Sequence, residues 1–261
     1  MVKDWSKLTG HLLITFTWLI LLATAWLAWG EEWVYLLIVP LAYCHMGFYA
    51  LCHDYTHNSP FKKSAHNRLA AKIIEIPSFI YFHQFKTTHL IHHQTSNEWD
   101  KDPVSVIKNE AGEFHNPLFY ILYWPVKAQK WYMAWINQQS NKAELKQKLL
   151  IRNLMSFAVF AVGLVLGILP FLLIFWLIPA FLGIVVGIGA MNLHDHWGCE
   201  PHNEYRDSRT TPSRLFNYMF WHNGLHLEHH LNPTANFDTL WKMHSENHAI
   251  YESERTIVSR F

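Results

Sequence analysis

The sequence predicts an all-α membrane protein, with four transmembrane helices, a cytosolic helical cap that carries the histidine clusters, and one or two interfacial helices. Three observations predict this class. Four stretches are apolar and long enough to cross a bilayer, the basic residues keep to one side of those crossings, and the 19 histidines among 261 residues include clusters at helical spacing. Composition agrees: 16% charged and 51% apolar residues are lean in charge for a soluble chain, and 16% aromatic content suits extended membrane–water boundaries. The net charge of +1, with no basic run, gives no footprint for a nucleic-acid partner. Cys44, Cys52 and Cys199 are too scattered for a disulfide framework or a CxxC metal knuckle and are read as reduced thiols.

A helix needs about 20 apolar residues to cross the hydrocarbon core. The first run, about 11–29, follows Lys3 and Lys7. It is too long for a signal-peptide core and leads into Gly30-Glu31-Glu32 rather than a small-residue cleavage site, so it is expected to stay as a membrane helix. The second run covers about 33–52. Residues 73–82 are too short and carry Glu75, and residues 117–135 are aromatic and interrupted by a proline and two lysines; both read as helices lying in the interface. The longest uncharged stretch runs from Asn153 to Leu193 and is broken by Gly167-Ile168-Leu169-Pro170, a turn that makes it a hairpin of spans at about 153–168 and 171–191. The outer connections are then the segments near 30–32 and 167–170, which hold no Lys or Arg, while all 21 basic residues fall on the other side. The positive-inside rule makes that side the cytosol, with both termini and the parts at about 53–150 and 194–261. The expected location is a bacterial inner membrane or an endoplasmic-reticulum type membrane. No repeat or linker divides the chain, so residues 1–261 are read as a single membrane-embedded domain.

Three histidine clusters stand out: His53-Asp-Tyr-Thr-His57 at the end of the second span, His89-Leu-Ile-His92-His93, and His226-Leu-Glu-His229-His230. Asn192-Leu-His-Asp-His196 adds a fourth at the end of the last span. Residues at i, i+3 and i+4 share one helix face, so each HxxHH is expected to present three imidazoles in one direction. Neutral imidazole binds iron, zinc, copper or nickel. A tetrahedral zinc takes four ligands; nine histidines fit two metal ions better, with Asn192 as a tenth contact, direct or through water. His83 and His222 are read as neighbours or packing residues, and His45 as a polar residue inside a span, where such side chains are costly and often functional. His11, His66, His115, His194, His202, His244 and His248 stay unassigned. Asp54, Asp100, Asp102, Asp195 and Glu228 are candidates to accept the ligands' second N–H, with Asp54 and Asp195 favoured.

With these clusters in place, the chain resembles the membrane fatty acid desaturase and hydroxylase family, known for three histidine boxes. The resemblance spans roughly His53 to Pro233 and includes the flanking Phe85-Lys-Thr-Thr-His89 and His229-His-Leu-Asn-Pro233. Asn192-x-x-x-His196-Trp-Gly is similar to a motif of alkane hydroxylases, and the stretch from Ser213 to Pro233 resembles carotenoid ketolases. The resemblance implies two non-haem iron ions, O2 as co-substrate and a lipid reached from the bilayer. The leading expectation is a desaturase of a fatty acyl chain or similar lipid; the alternative is a hydroxylase or ketolase of a carotenoid, alkane or other lipid. No dinucleotide-binding GxGxxG or fused haem module is legible, which implies a separate electron carrier of ferredoxin, rubredoxin or cytochrome b5 type. No catalytic residue is expected beyond the metal centre. A zinc hydrolase would leave most box histidines unexplained, and a metal transporter would place its ligands nearer mid-membrane.

Overall fold

The computed structural model describes residues 2–98, 100–105, 113 and 116–259. Asp4 starts the first helix, its carboxylate accepting from the Ser6 and Lys7 amides, and α1 runs Trp5–Leu27. Gly30, at φ +106°, turns the chain into α2, Glu32–Thr56, which opens as a 3-10 turn. Then follow α3 (Ser64–Ser78), α4 (Phe82–Thr95), α5 (Pro117–Gln138), α6 (Lys142–Val165) and α7 (Leu169–His196). Four short helices complete the chain: α8 (Arg214–Met219), α9 (His226–Leu231), α10 (Phe237–Glu246) and α11 (His248–Ser253). Two isolated bridges occur, and no strand forms among the described residues.

Helices α1, α2, α6 and α7 are long and apolar enough to cross a membrane. Protein covers only part of them: 11% of the apolar window of α6 and 39% of that of α2 are buried, and Leu13, Phe157 and Val165 stand open. Backbone hydrogen bonds close within each helix, so lipid is the solvent these faces fit. At one end, Trp26 and Trp29 pack edge-on against Phe171, joining the α1–α2 turn to the α6–α7 turn. At the other end, Lys7 pairs with Asp54 at 2.5 Å and His11 meets the Tyr55 hydroxyl. The histidine-bearing ends therefore gather on one side.

α2 is the central post, and its crossing with α7 is close because glycines line it. A Cβ on Gly183 would lie 2.2 Å from the Ala42 carbonyl oxygen, and one on Gly187 would lie 2.8 Å from Met46 Sδ. Small residues four apart let helix backbones approach this way in lipid. α7 widens into π-helical turns at Leu173–Leu177 and Phe181–Ile188, on either side of Pro179, which has no amide hydrogen to carry the ladder. Within the second widened stretch the Val185 carbonyl accepts Trp124 Nε1 at 3.2 Å and ties α5 to α7.

Four helices long and apolar enough to cross a membrane overlap the four runs read as spans, each beginning before its run. α6 begins at Lys142, because an amphipathic turn of lysines continues directly into the apolar run. Residues 117–135 fall within α5. Residues 73–82 do not form one helix: Pro77 and Phe79, at φ 59°, end α3, and α4 begins afresh at Phe82. His115 lies outside the described residues.

Candidate metal centre

Four helices deliver the histidines. His53 sits in the last turn of α2 and His57 caps it, while His89, His92 and His93 ride on α4. His196 closes α7, and His226, His229 and His230 occupy α9. They converge into two groups, one of His53, His57, His89, His93 and His229, the other of His92, His196, His226 and His230. Within each group the ligand atoms all lie within 4.8 Å of one another, and either group could hold a metal ion.

The HxxHH boxes do not present three rings in one direction, as the spacing suggested; each is divided. His89 and His93 serve one group and His92 the other, while His226 and His230 serve one and His229 the other. On a helix the i+3 and i+4 positions fall on opposite sides of position i by tens of degrees. The adjacent histidines therefore straddle a line, and a box set between two centres feeds both.

The nitrogen spacing is that of ligands on a shared cation. In the first group Nε2 atoms stand 2.9 Å apart for His53–His229 and His57–His89, 3.0 Å for His89–His93 and 3.1 Å for His93–His229. In the second they stand 3.1 Å apart for both His92–His196 and His196–His226. Two imidazole nitrogens bound at about 2.1 Å and at right angles on one ion lie about 3.0 Å apart. Hydrogen bonding does not account for the set, since a neutral ring offers one donor and one acceptor. His230 Nε2 is buried among these rings and has no hydrogen-bond partner among the described residues. The donor set thus fits a pair of metal ions.

The outer faces of the rings fix which nitrogen points inward. His92 Nδ1 lies 3.0 Å from the fully buried Asp102 carboxylate, which also accepts the Asn97 and Val104 amides. His196 Nδ1 donates to the Asp207 carbonyl at 3.0 Å, and His230 Nδ1 lies 3.4 Å from the Asp207 carboxylate. Each such bond frees Nε2 for a metal. Burial, and then repulsion by neighbouring rings, holds His89, His226, His229 and His230 well below the ordinary histidine range and His93 at about 2. These rings are neutral at pH 7, the form a metal needs. At His92 burial also opposes the proton, but Asp102 outweighs it and raises the pKa.

Of the expected carboxylates only Asp102 does this work. Asp54 turns to Lys7. Asp195 accepts His194 at 2.9 Å and Asn223 at 2.5 Å and stands 3.8 Å from His226, beyond hydrogen-bond reach. Glu228 bonds Thr210 at 2.8 Å and His244 at 2.7 Å rather than a ring of either histidine group, and Asp100 is exposed. Asp207 was not singled out from the sequence, and no local signal would have found it, because its backbone carbonyl takes part. Asn192, one turn before His196, meets the Tyr49 hydroxyl. His83 bonds Tyr132 at 2.7 Å, His222 lies against Phe237, and His45 is sealed among Trp18 and Phe48 with no partner for either nitrogen among the described residues.

Fold and site define a class: a helical integral membrane protein whose span ends and cap enclose paired polyhistidine sites able to hold metal. The fatty acid desaturase family model matches residues 31–260. The chain belongs to that family, and like its members is a membrane di-iron oxidoreductase. Among curated proteins, none matches the chain.

Proposed function

We propose that residues 1–261 form one membrane-embedded domain that introduces a double bond into a fatty acyl chain or similar lipid, using O2 and two irons. The observation that carries this reading is the division of nine histidines into a group of five and a group of four, with ligand nitrogens mutually within 4.8 Å. His53, His57, His89, His93 and His229 would hold one iron, and His92, His196, His226 and His230 the other; Asn192 would add a contact directly or through water. Bound iron would supply activation of O2 and oxidation of an unactivated C–H bond. In the balance, one O2, two electrons and two protons take two hydrogens from the substrate and give an alkene and two waters.

The chain's own residues do the rest. Asp102 and Asp207 keep the Nε2 lone pairs inward. Phe85 stacks flat on His89 at 5.5 Å, and Tyr49, one turn deeper on α2 than His53, packs edge-on against Phe85 at 4.8 Å. In the proposed reaction this aromatic wall beside His89 would help to exclude water from the reacting carbon. The connections at the far end lack Lys and Arg, which supports placing the histidines and both termini in the cytosol. There an acidic carrier of ferredoxin, rubredoxin or cytochrome b5 type would bring electrons, and Lys62 and Lys63 are placed to attract one.

Purified enzyme should contain two irons per chain, and products from a host of known lipid content should lose two hydrogens by mass spectrometry. Replacing His92 or His229 with Ala should abolish turnover and lower bound iron. A gain of oxygen would instead assign the hydroxylase or ketolase reaction, and a single ion in fully active enzyme would overturn the two-iron reading.

A further inference from the structure

Helix α8 is inside out. Leu215, Tyr218 and Met219 share one face at i, i+3 and i+4, and they are 69%, 79% and 47% exposed. The opposite face carries Asn217, which is fully buried; its amide donates to the Thr211 and Ser213 carbonyls, each at 2.9 Å, and its Oδ1 accepts the Gly224 amide at 3.0 Å. A water-facing helix has the reverse pattern. The helix cannot turn its apolar face inward, because Asn217 fixes its rotation.

Depth comes from α2. The Tyr43 hydroxyl donates to the Met219 carbonyl at 2.8 Å, and Trp221 stacks on Tyr43 with ring centroids 4.9 Å apart. At 1.5 Å per residue Tyr43 lies about 15 Å along α2 from His53, toward the membrane. A Cβ on Gly47 would meet both Trp221, at 2.9 Å, and Ile14, at 3.0 Å. Trp221 therefore sits level with Ile14 of α1, whose neighbours Leu13 and Phe16 are exposed on a helix apolar enough to cross a membrane. The turn reaches this depth with Trp221 and His222 both in the left-handed region, at φ 55° and 62°, a costly backbone held in place by its surroundings.

We propose that α8 and the turn through Trp221 form a wedge that enters the bilayer leaflet on the histidine side, with Leu215, Tyr218 and Met219 in acyl chains. The occupant is lipid hydrocarbon, because the patch is continuous with the lipid-facing surface of α1 and α2. The wedge also ties the bilayer to the second histidine group: its turn continues through Asn223, bonded to Asp195, into His226.

The test uses the full chain in phosphatidylcholine vesicles with a nitroxide at Leu215→Cys or Tyr218→Cys. Phe16→Cys serves as the lipid reference and Lys242→Cys, 72% exposed, as the water reference. The three native cysteines are buried. Power-saturation electron paramagnetic resonance should show the Leu215 and Tyr218 labels severalfold more accessible to oxygen than to a water-soluble nickel chelate, as at Phe16. Nickel accessibility at both sites equal to that at Lys242 would overturn the wedge. The readout needs neither iron nor turnover, so it stands or fails apart from the proposed reaction.

Discussion

Asp102 illustrates how one side chain sets a site it does not enter. It is fully buried, is held by two backbone amides, and spends one oxygen on His92. Removing such a partner costs about 10- to 100-fold in metal affinity or activity. Asp102→Ala should therefore lose activity by that factor and release metal more readily to a chelator, with His92 still present. A variant with full activity and unchanged metal retention would remove Asp102 from the site. Its role was only half legible: the sequence places Asp102 soon after the second box, but so is Asp100, and burial alone separates them.

At the scale of elements, helix ends and crossings place the ligands. His53 and His57 depend on α2, and His196 depends on α7, so the Gly183 contact sets the distance between two ligand-bearing ends. Gly183→Leu would drive a side chain into the Ala42 carbonyl, a backbone atom that cannot yield cheaply. Overpacking of this kind costs about 1–3 kcal/mol. The variant should melt several degrees lower and bind less iron, whereas Gly10→Leu, with open space around it, should change neither. Equal melting temperatures would sink the argument. Gly183-x-x-x-Gly187 was not singled out from the sequence: the spacing is a close-packing signal in lipid, but an apolar run gives no hint of which neighbour it meets. The short α9 shows the converse: its box was plain from spacing, yet the division of its rings between two centres was not.

For the whole molecule, the gathering of neutral histidines makes stability depend on pH. In the unfolded chain these rings take protons near pH 6.5. In the fold, burial first and neighbouring rings second hold His93 to about 2, and burial, then Lys7 and Lys86, hold His57 to about 4. Between those values and 6.5 the unfolded state binds more protons, so stability is full above pH 6.5 and falls as the pH drops below it. Metal competes with the same protons and adds to the trend. Iron content and thermal stability should be flat from pH 8 to about 6.5 and decline together toward pH 5; a decline that begins only on the alkaline side would contradict this. The sequence by itself predicts which way the four spans face, because Lys and Arg are absent from the two short connections and gather in the segments at the other end.

The amino-acid sequence by itself determined the class: four apolar runs of crossing length, a charge asymmetry, and imidazoles at helical spacing are local properties, and hydrocarbon and metal each impose a local requirement on the chain. Tertiary structure alone decided the partnerships. Which histidine joins which group, that Asp102 and Asp207 hold rings while Asp54 and Glu228 turn elsewhere, and that α8 shows its apolar face outward all depend on residues far apart in the chain. A periodic pattern specifies what a helix face carries; it does not specify what that face meets, because contact is set by packing across elements whose order in space is absent from their spacing in sequence.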